Sequence, residues 1–250
     1  MKICVCGNSH IAAFKEGWDL AKDEYPGVEV NFFGAHVTQW LKIEAIGGKL
    51  VATDPALKTM LEYTSGGLSE IAGHFDRYLI AGSQFSAQMF LRAYADLSGE
   101  FNPDVFVLSA KALLVDGHAF KMAALLKSIT ASPIVLAPSP YQTKGDGTLP
   151  VDYYSTTTVE ERTKLEPIYL RLARELADQA GCGLLLQPRQ TIAGPMITKR
   201  RFGHAAPQFL KKASHSQVDV THMNAEFGAL CWGKILTDSK FIGDRALAAA

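Results

Sequence analysis

Short apolar runs alternate with helical patterns along most of this chain, and this alternation limits its possible folds more than any other feature. The apolar runs predict strands at Ile3–Cys6, Val28–Phe33, Arg77–Ala81, Asp104–Leu108, Ile134–Ala137 and Gly183–Leu186. Helical spacing predicts helices at Ile11–Tyr25, Phe85–Leu97, His118–Ile129, Val159–Ala180 and Met223–Leu236. This order indicates an α/β fold with a mostly parallel sheet that helices cover on both faces.

The stretch from residue 34 to residue 76 does not follow this alternation. Gly47-Gly48, Asp54-Pro55 and Gly66-Gly67 interrupt it, with one short helical piece at Leu57–Tyr63. Because 48% of the chain is apolar, it can bury a sizeable core. We therefore expect a single domain over residues 1–250, with an irregular insertion at about 34–76.

The composition argues against several classes of partner and cofactor. Lys plus Arg and Asp plus Glu number 25 each, so no overall field attracts nucleic acid or a membrane. The chain has no apolar run of membrane-spanning length and no signal-peptide pattern, so we expect a cytoplasmic protein. Four cysteines lie in apolar segments without a metal-ligand pattern and read as core thiols: Cys4, Cys6, Cys182 and Cys231. We expect no metal and no cofactor.

A candidate nucleophile follows the first predicted strand, in the sequence Gly7-Asn8-Ser9-His10. A buried strand that ends at Gly7 and turns into a helix leaves Ser9 at the helix N-terminus. Free backbone N–H groups and the helix dipole favour negative charge there. The alternative is that Asn8 or Ser9 serves only as a helix cap.

A candidate base precedes the last predicted helix, in the sequence Asp219-Val220-Thr221-His222. A serine needs a base to take its proton, and a third group must hold that base in one tautomer. His222 and Asp219 can supply these two roles for Ser9. The alternative is that Asp219 only caps the helix and that His222 is exposed in its first turn.

With these two motifs the chain resembles the SGNH (GDSL-like) hydrolase family, which has a serine block after its first strand and an Asp-x-x-His block before its last helix. Gly7-Asn8-Ser9 matches the first block with Asn8 in place of Asp, and Asp219 to His222 matches the last. The resemblance implies a flavodoxin-like three-layer sandwich and a triad of Ser9, His222 and Asp219. It also implies an oxyanion hole made by the Ser9 N–H, a glycine N–H and an asparagine side chain.

The resemblance leaves two further oxyanion donors to be placed, a glycine and an asparagine. Gly82 stands where the family has the glycine. The asparagine should lie beyond the fourth strand, where this chain reads Val107-Leu108-Ser109-Ala110-Lys111, so that Lys111 stands in its place. An ammonium group can donate to an oxyanion or hold an anionic substrate group. The alternative is an exposed lysine at a strand end.

A basic segment, Lys199-Arg200-Arg201, precedes the last motif, with further basic side chains following at His204, Lys211, Lys212 and His215. Such a run is typical of a solvated loop, but beside an active site Arg200 and Arg201 would favour an acidic substrate.

We therefore expect a serine esterase that acts on a small-molecule or glycan ester. The alternatives are an acyltransferase with a carbohydrate acceptor, which uses the same residues, and a binding protein that has lost its chemistry. The sequence leaves the acyl group, the acceptor and the oligomeric state open.

Overall fold

Strands and helices alternate along the described chain. The computed structural model describes residues 1–97, 102–143, 152–208, 214–215 and 219–237. Its strands are β1 (Lys2–Gly7), β2 (Glu29–Gly34), β3 (Ile43–Ile46), β4 (Lys49–Ala52), β5 (Glu70–Ala72), β6 (Arg77–Ser86), β7 (Ile134–Ser139), β8 (Gly183–Leu184), β9 (Ile192–Gly194) and β10 (Ile197–Thr198). Its α-helices are α1 (Ile11–Ala21), α2 (Pro55–Ser65), α3 (Ala87–Asp96), α4 (Pro103–Val115), α5 (His118–Ile129), α6 (Val159–Gln179) and α7 (Ala225–Thr237). Short 3-10 helices span Lys22–Glu24, Val37–Lys42, Asp152–Tyr154, Arg189–Thr191 and Arg200–Phe202. None of the helices in these ranges is long and apolar enough to cross a membrane.

The main sheet has five strands, all parallel, in the order β2-β1-β6-β7-β8. Counted among themselves these strands follow the order 2-1-3-4-5, which is the doubly wound, flavodoxin-like order. The expected α/β fold is therefore confirmed. In sheets of this kind ligands bind beyond the carboxyl ends of the strands, where the strand order reverses. Here that point lies between β1 and β6.

Side chains of the central strands alternate between two cores, one on each face of the sheet. Cys4, Cys6 and Ile80 face the core formed with helices α2 to α6. Val5 and Ala81 face the core formed with α1 and α7. Because successive residues of a strand point to opposite faces, a run that is buried throughout requires helices on both sides. This produces the three layers. The four cysteines are free thiols and all are buried.

One predicted strand is wrong, because Asp104–Leu108 lies inside helix α4. Asn102 caps this helix by accepting from the N–H groups of Asp104 and Val105 at 2.9 and 3.3 Å, and Pro103 occupies the first turn. Asn102 and Pro103 both favour the start of a helix, but the short apolar run that follows them also fits a strand. The residues buried along α4 are Phe106, Ala110 and Leu114, at helical spacing. The fourth strand of the main sheet is β7.

The segment from residue 34 to residue 76 is not irregular, which corrects the expectation from the sequence. Strands β3, β4 and β5 form a separate antiparallel sheet in chain order, and α2 packs beside it. Gly47 and Gly48 form the hairpin turn with φ of +58° and +77°. These strands have only three or four residues each, so their alternation is too short to read. Their buried residues, such as Leu50 and Ile71, belong to the same core as the main sheet.

Helices α1 and α7 pack with almost no space between their backbones. A Cβ on Gly228 of α7 would lie 1.8 Å from the carbonyl oxygen of Ala13 in α1. A Cβ on Gly17 of α1 would lie 2.3 Å from the backbone of α7. Beside this contact, Trp232 is fully buried and donates its indole N–H to the Phe14 carbonyl at 2.7 Å. Glycine at both crossing positions is therefore required for the helices to approach this closely.

We predict that Gly228→Ala lowers the free energy of unfolding by about 1–3 kcal/mol, because the added methyl group forces the two helices apart. Gly233→Ala is the matched control, since a Cβ on this other α7 glycine meets nothing within 4 Å. Alanine favours a helix more than glycine, so the control should gain roughly 0.5–1 kcal/mol. Urea unfolding measures both. Equal effects of the two substitutions would contradict the close crossing.

Candidate active site

Ser9 lies in the turn that joins β1 to α1. Strand β1 ends at Gly7, where a Cβ would lie 2.2 Å from the carbonyl oxygen of Ala81 in β6. Helix α1 begins at Ile11, and no side chain caps its N-terminus. The Ser9 hydroxyl is instead 2.8 Å from Nε2 of His222. The helix-cap alternative therefore does not describe the hydroxyl of Ser9 in this structure.

Asp219 orients the imidazole of His222. Its Oδ2 lies 2.8 Å from His222 Nδ1, and its Oδ1 accepts from the backbone N–H groups of Thr221 and His222 at 2.8 and 3.0 Å. Burial alone would raise the pKa of Asp219, but these hydrogen bonds outweigh it and hold that pKa well below its ordinary value. The carboxylate is therefore charged and can hold the Nδ1–H tautomer of His222, with Nε2 toward Ser9.

A different residue marks the start of α7. Asn224 Oδ1 accepts from the Phe227 N–H at 3.1 Å, one turn into the helix, while Asn224 Nδ2 donates to the carbonyl oxygens of Arg201 and His204. Asp219 lies five residues before Asn224. It accepts from the N–H groups of Thr221 and His222 in its own turn and does not cap α7. Asn224 thus fixes the start of α7 relative to the basic segment, so that Asp219 and His222 are presented together from the loop before it.

His215 contacts both Asp219 and His222, although it lies outside both sequence motifs. Its Nδ1 lies 2.9 Å from Asp219 Oδ2, which is the same oxygen that His222 contacts. The rings of His215 and His222 stack with centroids 3.9 Å apart and planes 7° from parallel. Sequence reasoning had counted His215 only as part of a basic run. Its spacing of four residues before Asp219 was the available signal.

His10 packs against the other candidates from the beginning of the chain. Its ring centroid is 5.4 Å from that of His222, and its Nδ1 is buried with no hydrogen-bond partner among the described residues. Burial, followed by the charge of His222, lowers the pKa of His10 to about 3. His10 is therefore neutral at physiological pH and adds no positive charge beside the Ser9 hydroxyl.

Gly82 lies next to Ser9 across the end of the sheet. Its φ is +70°, and a Cβ there would lie 2.6 Å from Asn8 Oδ1 and 2.7 Å from His10 Cδ2. The two residues that follow, Ser83 and Gln84, also have positive φ, at 56° and 64°. Non-glycine residues rarely adopt this conformation, and it concentrates at functional sites. The structure thus brings Gly82 beside the turn that carries Ser9.

Gln84 is an exposed amide two residues beyond Gly82. Its Oε1 lies 2.5 Å from Nδ1 of His118, the first residue of α5. The amide oxygen of Gln84 can accept a hydrogen bond from this imidazole. Gln84 belongs to neither of the two sequence motifs.

The strand end that gave Lys111 its predicted role does not exist. Lys111 lies inside α4, a helix that packs on α3, and is partly exposed. Its alignment with an asparagine at a strand end therefore loses its structural basis.

The basic segment forms a 3-10 helix over Arg200–Phe202. The Arg201 guanidinium lies 3.3 Å from a Glu226 carboxylate oxygen and 4.7 Å from the centroid of the Phe202 ring. Both Arg200 and Arg201 are exposed. Lys211 and Lys212 lie outside the described residues. The Arg201 charge is thus partly balanced by Glu226, and an effect of Arg200 and Arg201 on acidic substrates stays a prediction.

A cavity of about 310 Å³ opens beyond the carboxyl ends of β7 and β8. It shares Pro138, Leu186 and Gln187 with a much smaller cavity of about 20 Å³ that reaches His10 and Gly82. The larger cavity is of the size that holds small ligands.

Within the described ranges, one group of side chains has the composition of a metal site, namely His215, Asp219 and His222. The N–O distances of 2.8 and 2.9 Å in this group are ordinary hydrogen-bond lengths. Because Nε2 of His222 also contacts Ser9, a metal ion on this imidazole would compete with a hydrogen-bonded serine. The contacts therefore fit hydrogen bonding better than metal ligation.

No protein-family model matches this chain, and no curated protein sequence matches it. Among solved structures, an extracellular lipase from Streptomyces rimosus is similar, with 12% sequence identity and a TM-score of 0.47. The alignment covers 94% of this chain and 98% of the lipase chain. The fold and site together define a three-layer α/β protein with hydrogen-bonded Ser, His and Asp side chains at the carboxyl end of its sheet.

We predict that dialysis against EDTA leaves the contacts of Asp219 and His222 unchanged, because they are hydrogen bonds rather than metal–ligand bonds. The measurement is nitrogen-15 NMR of the imidazole nitrogens before and after dialysis. Imidazole signals that change with EDTA and return with Zn²⁺ would make His215 and His222 metal ligands.

Proposed function

We propose that this protein is a serine esterase of the SGNH (GDSL-like) type. The observation that carries the proposal is the pair of 2.8 Å contacts that connect Ser9 Oγ to His222 Nε2 and His222 Nδ1 to Asp219. Residues 213 positions apart supply the first contact, so local capping does not account for it. A serine, an imidazole and a buried carboxylate in this order activate the serine for acyl transfer.

In the first step, Ser9 Oγ attacks the carbonyl carbon of an ester while His222 Nε2 takes the hydroxyl proton. Asp219 stabilises the imidazolium that forms and does not itself become protonated. When the tetrahedral intermediate collapses, the bond to the alcohol oxygen breaks and His222 returns the proton to this leaving group. The product of this step is an acyl ester on Ser9.

In the second step, water attacks the acyl ester with His222 as the base. The bond to Ser9 Oγ breaks, the serine recovers its proton from His222, and a carboxylic acid leaves. A carbohydrate hydroxyl in place of water would give the alternative acyltransferase with the same residues. The cavity beyond β7 and β8 offers space for part of either substrate.

The oxyanion of the tetrahedral intermediate needs donors near Ser9. We propose the N–H groups of Ser9 and Gly82, together with the side-chain amide of Gln84. The resemblance to SGNH hydrolases implies an asparagine beyond the fourth strand, whereas Gln84 lies in β6, the third strand of the main sheet. Gln84 is proposed because it supplies an exposed amide two residues after Gly82. The contact with His118 holds the oxygen of that amide, so its NH2 group can donate. Gln84 thus replaces Lys111 in the proposal.

We predict that Ser9→Ala abolishes hydrolysis of a short-chain nitrophenyl ester and covalent labelling by a fluorophosphonate. The rate should fall by several orders of magnitude, because the other members of the triad act only through the serine. Ser128→Ala is the matched control, since Ser128 is an exposed serine of α5 whose hydroxyl donates to the Leu125 carbonyl. Mass spectrometry locates the label, and circular dichroism checks the fold.

Two outcomes would select the alternatives. If wild-type protein takes up no label and hydrolyses no ester, the protein is a binding protein on this fold. If the acyl group appears on an added sugar faster than in water, it is an acyltransferase. Ester hydrolysis by Ser9→Ala at the wild-type rate would contradict both catalytic proposals.

We predict that Gln84→Ala lowers kcat by about 100-fold with little change in KM, as the loss of one oxyanion donor does. Gln84→Asn keeps an amide and should recover part of the rate. Lys111→Ala is the control and should leave kcat and KM unchanged, because Lys111 lies within α4. The opposite pattern, with loss in Lys111→Ala alone, would restore the role first expected for that lysine.

A further inference from the structure

We propose that His215 is a positioning residue that shares the Asp219 carboxylate with His222 and thereby holds the His222 imidazole in the orientation that serves Ser9. This inference rests on the proposed esterase function and assigns a role to a histidine outside both sequence motifs. It is carried by the hydrogen bond of His215, by its ring stacking and by its anchoring to a separate loop.

The hydrogen bond determines the tautomer of His215. Asp219 Oδ2 lies 2.9 Å from His215 Nδ1 and 2.8 Å from His222 Nδ1. A carboxylate oxygen accepts two hydrogen bonds, so both imidazoles can donate from Nδ1 at the same time. With the two backbone N–H groups on Oδ1, four donors then surround this carboxylate. Asp219 therefore has little freedom to rotate away from His222.

Stacking restrains the His222 ring directly. The face of His215 covers the face of His222 at 3.9 Å, and His10 packs against His222 at 5.4 Å with its plane tilted by 32°. Rotation of His222 about its side chain would break the stack with His215. The three side chains His215, Asp219 and His222 are only 22%, 16% and 18% exposed, so water has limited access to their hydrogen bonds.

His215 itself is anchored independently of the triad. Its backbone N–H donates to the Ala206 carbonyl at 2.7 Å, and Ser214 pairs with Pro207 in an antiparallel bridge. Residues 206 and 207 follow directly on the 3-10 helix over Arg200–Phe202 and the turn after it. The His215 ring is thus held by a loop other than the turn that carries Asp219 and His222.

The electrostatics favour a neutral His215 during catalysis. Burial, followed by the charge of His222, lowers the pKa of His215, and Asp219 opposes this shift only in part. Among the described residues, the titratable groups that face it are Asp219 and His222, with His10 nearby. When His222 takes the Ser9 proton, His215 therefore remains a neutral donor to the Asp219 carboxylate.

Substitutions at His215 can separate the effect of its hydrogen bond to Asp219 from the effect of its ring stacking on His222. His215→Phe keeps an aromatic face but removes the donor to Asp219. His215→Asn can place an amide N–H near the position of Nδ1 but removes the stacked ring. His204→Phe is the matched control, because His204 is an exposed histidine in the neighbouring loop.

We predict that His215→Phe lowers kcat about tenfold with KM nearly unchanged, as expected for a lost hydrogen bond to a charged group. His215→Asn, which keeps a donor near the position of Nδ1, should recover part of the lost kcat. His204→Phe should match the wild type in both parameters. The measurement is kcat and KM for each variant.

A second measurement does not depend on turnover. In the inactive Ser9→Ala protein, nitrogen-15 NMR should detect Nδ1–H tautomers at both His215 and His222 in slow exchange with water, and His215→Phe should remove the signal of His215. Wild-type kcat in His215→Phe would overturn the proposal. A lower kcat in His215→Phe that His215→Asn does not recover in part would also overturn it, leaving only a packing role. Hydrolysis by Ser9→Ala would instead overturn the esterase function, whatever the His215 variants do.

Discussion

The close crossing of α1 and α7 is the contact on which the site depends. Ser9 precedes α1 and His222 precedes α7, so the distance between the two side chains follows from how these helices pack. Gly17 and Gly228 allow their backbones to touch, and the indole N–H of Trp232 ties α7 to a carbonyl of α1. A displacement of one helix by a methyl group's width would already exceed the tolerance of a hydrogen bond. The close packing of α1 and α7 in the core is thus a condition for the hydrogen bond between Ser9 and His222.

The Asp219 carboxylate is the second element on which the site depends. It accepts from backbone N–H groups of its own turn and from the imidazoles of His215 and His222. Such a carboxylate is costly to desolvate, and donors around it offset this cost. The same donors that keep Asp219 charged also fix the orientation of His222. Stability of the buried charge and alignment of the base therefore have a common physical origin.

The strained end of β6 completes this arrangement. Gly82, Ser83 and Gln84 all have positive φ, and the pairing of β6 with β7 shifts register over the same residues. Strand β6 is therefore irregular at the point where the strand order of the main sheet reverses, beside the turn that carries Ser9. A regular strand would place these side chains alternately above and below the sheet. The irregular backbone instead leaves Gly82 against Asn8 and Gln84 exposed to the solvent.

Local patterns in the sequence predicted much of the fold. They also pointed to Ser9, His222 and Asp219, the three side chains that hydrogen bonds join in the structure. The strands that end at Gly7 and precede Gly82 were predicted because they are continuous apolar runs, and α5 was predicted with its observed bounds. The patterns failed at Asp104–Leu108, where β-branched and aromatic residues conceal a helix that Asn102 and Pro103 begin. They also failed between residues 34 and 76, where the strands are too short to alternate clearly.

By itself, the sequence determined the alternation of strands and helices and the two motifs that contain Ser9, Asp219 and His222. Both depend on residues close together in the chain, which is why they could be read from it. Only the tertiary structure decided that Ser9 meets His222, that His215 stacks on the same imidazole, and that Lys111 lies inside a helix instead of beyond a strand. Ser9 and His222 are far apart in sequence, so the distance between them is set by how helices and loops pack.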